Sequence, residues 1–137
     1  MRLHHVGIVV PTREIAEDLI KMFGLEIDYE GFVDAYHTDV VFTTHGEKES
    51  PLEFIIPKEG VLTKYNNGKG GIAHIAFEVE DIEAARREFE EKGYGMLEKA
   101  AVPGTSDIVV NFIRPRFSHN ILVEFVQTIG PIQREKG

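Results

Sequence analysis

The fold is decided by residues 74–93, HIAFEVEDIEAARREFEEKG, because they repeat an earlier stretch of the chain. Residues 5–24 read HVGIVVPTREIAEDLIKMFG and align with them at a constant offset of 69 positions, the separation of His5 from His74. Internal repetition at a fixed offset is the sequence signature of a fold built from similar units. The sequence therefore predicts two copies of one supersecondary module.

Each copy begins with an alternating strand and continues into a helix of about three turns. Thr12 and Asp81 stand at matching positions just before the helices, and both residue types are favoured N-caps. Gly24 and Gly93 follow the helices, where a left-handed residue commonly ends the helix. We therefore predict that the two helices begin and end at equivalent positions.

Three further strand-like segments follow each helix. They are residues 26–33, 35–44 and 51–57 in the first half, and residues 94–100, 107–114 and 120–127 in the second half. Residues 58–71 connect the halves, with a short helix predicted at 61–65. The order of elements is thus βαβββ, twice.

We predict an α+β fold in which two tandem βαβββ modules form a cupped, incomplete β-barrel with the helices outside. The first module spans about residues 3–57 and the second about residues 72–127, within a single domain of residues 1–127. Residues 128–137 show no periodicity and are predicted to be a mobile tail.

Four polar side chains alternate with the apolar residues that face the helices, so each is predicted on the opposite face of its strand. They are His5, Glu53, His74 and Glu124, two from each module. In a pseudo-symmetric cup the four converge on one point. Two imidazoles and two carboxylates suit Zn, Ni, Co, Mn or Fe. A single His or Glu in a strand is more often solvated or satisfied, but matched positions in both halves favour a divalent metal site.

Composition restricts the classes of protein that the chain can belong to. A length of 137 residues with 42% hydrophobic content suits one domain with a real core. A net charge of −8 disfavours nucleic acid as a partner. No apolar run approaches the roughly 18 residues that would span a bilayer, and no signal sequence is evident. We therefore expect a cytoplasmic protein with no membrane association. The absence of cysteine excludes thiolate ligands and nucleophiles.

The segments HHVGIVV, PLEFIIP, GGIAHIAFEVEDIEAA, GYGMLEKA and ILVEFVQ resemble the vicinal oxygen chelate superfamily over about residues 3–127. This superfamily includes lactoylglutathione lyase, methylmalonyl-CoA epimerase and extradiol dioxygenases. The resemblance is greatest to the epimerases, in GVLTKYNNGKGGIAHIAF and VEDIEAA. By that resemblance His5, Glu53, His74 and Glu124 correspond to the four metal-ligand positions of the family.

The resemblance implies a metal-dependent isomerase or lyase, epimerase-like or lactoylglutathione lyase-like, that moves a proton next to a carbonyl. Its partner would be a small-molecule thioester or hemithioacetal, and the chain is expected to form a homodimer. VPGTSD (102–107) and RPRFSHN (114–120) differ from the corresponding turns of the epimerases, so the substrate stays open.

Glu124 is our candidate for the group that carries the proton, with Glu53 as the pseudo-symmetric alternative on the opposite face. In the loop before the last strand, Arg114, Arg116 and His119 are candidates for gripping a carboxylate, thioester or phosphate at the mouth of the cup, the alternative being an exposed basic turn.

The remaining polar candidates are interpreted structurally. Asp39 is a weaker candidate for a polar role near the site, with a solvated strand-end residue as the favoured interpretation. We expect His4 to be a packed or capping histidine on the face of Val6 and Ile8, and His37 and His45 to be solvated.

Two other functional classes remain open. An Fe(II) extradiol-type dioxygenase uses two His and one Glu, and a fourth ligand at Glu53 argues against it. A metal-free, drug-sequestering protein holds a small molecule by shape, and it has no need of a complete ligand set. No glycine fingerprint for a nucleotide is present, so we expect proton transfer without an organic cofactor.

Overall fold

The computed structural model of the chain describes residues 1–132. The eight strands are β1 Arg2–Val9, β2 Ile27–Val33, β3 Thr38–Thr43, β4 Leu52–Pro57, β5 Gly71–Glu78, β6 Val102–Pro103, β7 Ile108–Phe112 and β8 Leu122–Thr128. The two α-helices are α1 Arg13–Met22 and α2 Ile82–Glu91. Short 3₁₀ helices span Asp34–Tyr36, Val61–Lys64 and Pro115–Phe117.

The strands form one sheet in the order β2-β3-β4-β1-β5-β8-β7-β6. The modules meet at its centre, where β1 and β5 pair antiparallel, and each of these strands pairs parallel with the last strand of its own module. The sheet curls until its ends approach, since a Cβ on Gly31 of β2 would lie 3.2 Å from the Thr105 methyl group. The predicted α+β, incomplete-barrel fold with helices outside is confirmed.

Each helix packs on the convex face of its own module. Ala16 and Ile20 of α1 pack against Phe54, and Ile82 of α2 packs against Phe125. The N-caps are those predicted, because the Thr12 hydroxyl and the Asp81 carboxylate accept hydrogen bonds from backbone amides in the first helical turns. The helices therefore hold the convex side and leave the concave side to other residues.

One predicted strand is wrong. Residues 94–100 form only an isolated bridge, between Met96 and Ile113, which lies just after β7. The strand β6 forms later, at Val102–Pro103. The side-chain amide of Asn111 explains the change: it accepts from the Glu98 amide and donates to the Glu98 carbonyl, each at 3.0 Å. A side chain thus replaces the backbone partner that a continuing ladder would have used.

At the carboxyl end, β8 runs to Thr128, and the Ile129 amide donates to the Asp107 carbonyl at 2.8 Å. The first residues of the predicted tail are therefore paired, while residues 133–137 lie outside the described residues. Within residues 1–132 neither α-helix has the length and continuous apolar character needed to cross a bilayer.

Candidate metal centre

The register of the four central strands places the predicted ligands in two adjacent rows on the concave face. Gly7 of β1 pairs with Glu53 on one side and His74 on the other. Ala76 of β5 pairs in the same way with His5 and Glu124. Because residues directly opposite one another share a face, each row carries an imidazole and a carboxylate separated by a small residue.

The four side chains converge in the cup, and all four are buried. His5 Nε2 lies 3.0 Å from His74 Nε2, 3.0 Å from Glu124 Oε1 and 3.3 Å from Glu53 Oε1. His74 Nε2 lies 3.4 Å from Glu53 Oε1 and 3.5 Å from Glu124 Oε1. Strand alternation therefore predicted the convergence correctly, whereas the role of these residues as metal ligands stays a prediction.

The geometry of the cluster fits a divalent ion. Ligand atoms about 2.1 Å from one ion lie about 3.0 Å apart at a right angle and about 3.4 Å apart in a tetrahedron. The distances from the two imidazole Nε2 atoms to the carboxylate Oε1 atoms, 3.0–3.5 Å, are close to these values. Among the described residues none donates a well-directed hydrogen bond to the buried Glu124 Oε1. The ligand atoms of His5, His74 and Glu124 all lie within 4.8 Å of one another, and Glu53 Oε1 adjoins both imidazoles at 3.3 and 3.4 Å.

Opposite charges dominate the electrostatics of the cluster. Burial alone lowers an imidazole pKa, but the Glu53 and Glu124 carboxylates outweigh it and raise the pKa of His5 to about 9 and that of His74 to about 10. Burial likewise raises a carboxyl pKa, but the two imidazoles reverse the shift and lower the pKa of Glu53 to about 2. The pKa of Glu124 is lowered for the same reason. An arriving cation must therefore displace protons from the imidazoles.

Gly7 is required for the position of His74. A Cβ at Gly7 would lie 2.1 Å from His74 Cε1 and 2.3 Å from its Nδ1, inside any permitted contact distance. The imidazole therefore occupies the space that a side chain at Gly7 would need.

The predicted position of His4 is wrong. A register shift between Leu3 and His5 marks a β-bulge in β1, so alternation fails at this point. The His4 Nδ1 lies 2.8 Å from His5 Nδ1, and its ring contacts that of His5 instead of packing on the face of Val6 and Ile8. His5 Nε2 is directed at the cluster and His5 Nδ1 at His4, so the hydrogen bond between the two rings holds the His5 ring in place.

A cavity of about 200 Å³ opens from the cluster toward solvent, with all four candidate ligands in its wall. Its walls are otherwise mostly apolar, including Val40, Ile55, Val110 and Phe112. The exposed side chains Val61 and Leu97 also border it and mark its mouth. The cup therefore offers a small, dry space beside the polar cluster.

The other residues considered in the sequence lie away from this cavity. Arg114, Arg116 and His119 are exposed and do not line it, so a substrate contact of theirs stays a prediction for parts of a ligand outside the cup. Asp39 pairs with Lys58 at 3.3 Å, His37 pairs with Glu59 at 3.2 Å, and His45 is exposed, as expected for solvated residues.

Tyr36 was not identified from the sequence, although its side chain lines the cavity. It lies in the 3₁₀ helix between β2 and β3, where strand periodicity gives no signal about direction. Tyr36 falls near the start of the predicted strand 35–44, but β3 begins only at Thr38, and an aromatic residue at the cup end of a module is the sequence feature that could have pointed to it.

Two βαβββ modules with a buried cluster of imidazoles and carboxylates in a shared cup define a two-module protein with one candidate metal centre. The chain belongs to the Glyoxalase/Bleomycin resistance protein/Dioxygenase superfamily, whose family model matches residues 4–112. The resemblance seen in the sequence is thereby confirmed.

Two curated relatives align with this chain over most of its length. The ethylmalonyl-CoA/methylmalonyl-CoA epimerase of Cereibacter sphaeroides is 35% identical over 132 residues, covering 92% of this chain and 97% of its own length. The mitochondrial methylmalonyl-CoA epimerase of Bos taurus is 31% identical over 131 residues, covering 92% of this chain and 74% of its own.

Solved structures show the same fold. The methylmalonyl-CoA epimerase of Mycobacterium tuberculosis superimposes with a TM-score of 0.86 at 24% identity, covering 93% of this chain and 88% of its own. A Streptomyces coelicolor methylmalonyl-CoA epimerase variant, in complex with 2-nitronate-propionyl-CoA, gives a TM-score of 0.87 at 22% identity, covering 95% of this chain and 99% of its own.

Proposed function

We propose that this protein is a metal-dependent epimerase of 2-alkylmalonyl-CoA thioesters, of the methylmalonyl-CoA type. The observation that carries the proposal is the convergence of His5, Glu53, His74 and Glu124 on one point at the base of an apolar cavity. The relative in Cereibacter sphaeroides, which this chain matches over nearly its whole length, supports the thioester class.

The charge of the cavity supports dependence on a metal. Among the described residues that line it, none is a lysine or arginine, so a substrate carboxylate would meet no cationic side chain there. His5, Glu53, His74 and Glu124 are the residues that would hold a divalent ion. When bound, such an ion supplies Lewis-acid stabilisation of the negative charge that develops on oxygen as a carbon next to a carbonyl loses its proton.

The chain's own residues would move the proton. Lowered pKa values keep Glu124 and Glu53 ionised at neutral pH, so either carboxylate is able to accept a proton. The two carboxylates come from different modules, on either side of the paired strands β1 and β5. Epimerisation needs removal of the proton on one face and its return on the other, and we assign Glu124 as the principal proton carrier and Glu53 as its partner.

Exclusion of water is the contribution of the cavity walls. Apolar side chains such as Ile55 and Val110 surround the reacting groups, so an enolate formed there meets little water. The ionised carboxylates act in a surrounding of low dielectric, where their interaction with a developing charge is strengthened. This arrangement favours proton transfer over hydrolysis of the thioester.

The experiment that tests the proposal is solvent-deuterium exchange. The purified protein, stripped by chelator and reloaded separately with Co²⁺, Ni²⁺, Zn²⁺ or Mn²⁺, is incubated with methylmalonyl-CoA in deuterated water. We expect α-deuterium in the recovered thioester by mass spectrometry, with metal and without O₂ or a nicotinamide. His5→Ala should abolish the exchange, while His45→Ala, an exposed histidine outside the cup, should leave it unchanged.

The same assay separates the remaining classes. Turnover of the hemithioacetal of methylglyoxal and glutathione, without exchange into methylmalonyl-CoA, would assign a lactoylglutathione lyase. Exchange that is absent with every metal, together with ligand binding by chelated protein, would assign a metal-free binding protein. Consumption of O₂ on a catechol would assign a dioxygenase. A homodimer and a cytoplasmic location stay predictions.

A further inference from the structure

Tyr36 spans the two modules inside the cup. Its side chain packs against apolar residues of the first module, including Val40, and of the second module, including Val110. Its ring meets that of Phe112 edge to face, with centroids 5.7 Å apart. Contacts with both halves fix the direction of the ring, and its hydroxyl is held in one place.

That hydroxyl is buried and has no partner among residues 1–132. Burial of a hydroxyl without a hydrogen bond costs free energy, so it requires an explanation. Tyr36 lines the same cavity as the imidazole–carboxylate cluster. The hydroxyl therefore stands ready to donate to a ligand that enters the cavity.

The electrostatics favour the neutral, proton-bearing form of this phenol. Burial, together with the Glu98 and Glu124 carboxylates, raises the pKa of Tyr36 above its ordinary value. The group is thus a donor at neutral pH and does not compete with Glu124 as a base. A neutral donor in a dry site stabilises negative charge that arises beside it.

We propose that Tyr36 is a further catalytic residue, whose hydroxyl donates a hydrogen bond to the thioester oxygen that becomes negative during proton transfer. This inference rests on the proposed function. In the step, the α-carbon–hydrogen bond breaks and the proton passes to Glu124. The electron pair forms a carbon–carbon double bond, and the carbonyl π pair moves to oxygen. Tyr36 keeps its proton throughout, and the reverse step restores the carbonyl.

Two other hydroxyl-bearing side chains of the cup have hydrogen-bond partners, unlike Tyr36. Thr105, which also lines the cavity, donates to Asp107 at 2.7 Å. Tyr29 lies on the same module, stacks on Phe42 with centroids 4.8 Å apart, and is hydrogen-bonded to Thr105. Tyr29 is therefore a matched control, since it is a half-buried tyrosine of the cup with a satisfied hydroxyl.

The test compares Tyr36→Phe and Tyr29→Phe with wild type in the metal-loaded full chain. For Tyr36→Phe we expect kcat for α-deuterium exchange into methylmalonyl-CoA to fall by about 10²-fold, as for loss of one oxyanion donor. KM and bound metal should change less than about twofold, because uniform binding is kept. Tyr29→Phe should keep kcat.

Thermal melting gives a readout that does not depend on activity. Tyr36→Phe should melt at or above the wild-type temperature, because it removes an unsatisfied polar group and keeps the ring. Tyr29→Phe should melt lower, because it loses a hydrogen bond. If wild type exchanges deuterium and Tyr36→Phe does so equally well, or if Tyr36→Phe melts lower than Tyr29→Phe, the inference is overturned and the proposed function stands. If wild type shows no exchange, both fail.

Discussion

Each module contributes one imidazole and one carboxylate to the buried cluster, but the two modules surround these residues differently. In the first module, β2 and β3 have seven and six residues, and the connection between them carries Tyr36 into the cup. In the second module, β6 has only two residues, and the turn before β7 is closed by the Thr105–Asp107 hydrogen bond. The four central strands of the sheet, β4, β1, β5 and β8, follow the repeat, whereas the outer strands β2, β3, β7 and β6 differ between the modules.

This difference distinguishes the imidazole–carboxylate cluster from the pocket beside it. His5 and Glu124 lie on either side of Ala76, while His74 and Glu53 lie on either side of Gly7, so the cluster is close to two-fold symmetric. The cavity beside it is asymmetric, because among residues 1–132 the buried hydroxyl without a partner, that of Tyr36, comes from the first module. A symmetric ion site with asymmetric walls would distinguish the two faces of a reacting carbon.

The largest expected effect breaks the equivalence of the two carboxylates. Glu124→Gln should lower kcat by 10²–10⁴-fold, the usual contribution of general-base catalysis, while some coordination is retained. Glu53→Gln should lower it by a smaller factor. The measurements are kcat for epimerisation and metal content by elemental analysis. Glu80→Gln, an exposed glutamate, is the control. A greater loss in Glu53→Gln than in Glu124→Gln would reverse the assignment of the principal base.

The next effect makes the first module resemble the second. Gly7→Ala puts a methyl group where Ala76 already has one, but 2.1 Å from His74 Cε1. The ring must move, and we expect metal affinity to fall about 10–100-fold, as when the support of a ligand is lost. Competition with a chelating dye measures this. Gly46→Ala is the control, since only the flexible Glu49 side chain lies near. Unchanged affinity in Gly7→Ala would show that His74 is not a ligand.

The sequence predicted the parts of the site that depend on uninterrupted alternation. Alternation is unbroken from His5 to Gly7 of β1 and from His74 to Ala76 of β5, so the sequence could place His5, Glu53, His74 and Glu124 together. His4 was misplaced because a bulge between Leu3 and His5 reverses the alternation for one residue, and periodicity does not reveal a bulge. Hydrogen bonding decides such irregularities, and it depends on the neighbouring strand.

The outer strands were predicted less well for a related reason. The segment 94–100 has a strand-like pattern, yet Asn111 supplies side-chain partners to Glu98 and the ladder stops there. Tyr36 falls within the predicted strand 35–44, but the structure places it in the 3₁₀ helix Asp34–Tyr36 ahead of β3, so its direction is set by that turn and not by strand alternation. Position in the repeat therefore predicts which polar side chains converge, while the walls of the pocket require the tertiary structure.

A smaller effect tests the charge balance between the two imidazoles and the two carboxylates of the cluster. The pKa values of His5 and His74, about 9 and about 10, exceed the ordinary 6.5, so their stabilisation is complete below pH 6.5 and lost toward pH 10. The pKa of Glu53 is about 2 against an ordinary 4.5, so its stabilisation is complete above pH 4.5 and lost below. Chelated protein should therefore melt highest between these limits, and lower at pH 10 by at least about 5 °C.

Reloading the protein with Zn²⁺ is the control for this pH profile. The ion replaces the protons as the positive charge between the carboxylates, so the alkaline loss should shrink. An equal alkaline loss with and without the ion would mean that the cluster is not its cause.

The smallest effect compares the two helix starts, which are equivalent in sequence but not in geometry. The Asp81 carboxylate accepts from the Ala84 amide at 3.0 Å, whereas the Thr12 hydroxyl accepts from the Ile15 amide at 3.4 Å. A carboxylate also interacts favourably with the positive end of the helix dipole. Asp81→Ala should therefore lower the free energy of unfolding by about 1–2 kcal/mol, and Thr12→Ala by about 0.5 kcal/mol. Urea unfolding of chelated protein measures both without the contribution of metal binding. Raised salt should reduce the difference, because only the Asp81 cap is charged. If Thr12→Ala lowers the free energy of unfolding more than Asp81→Ala does, the hydrogen-bond distances do not indicate which helix start is the more stable.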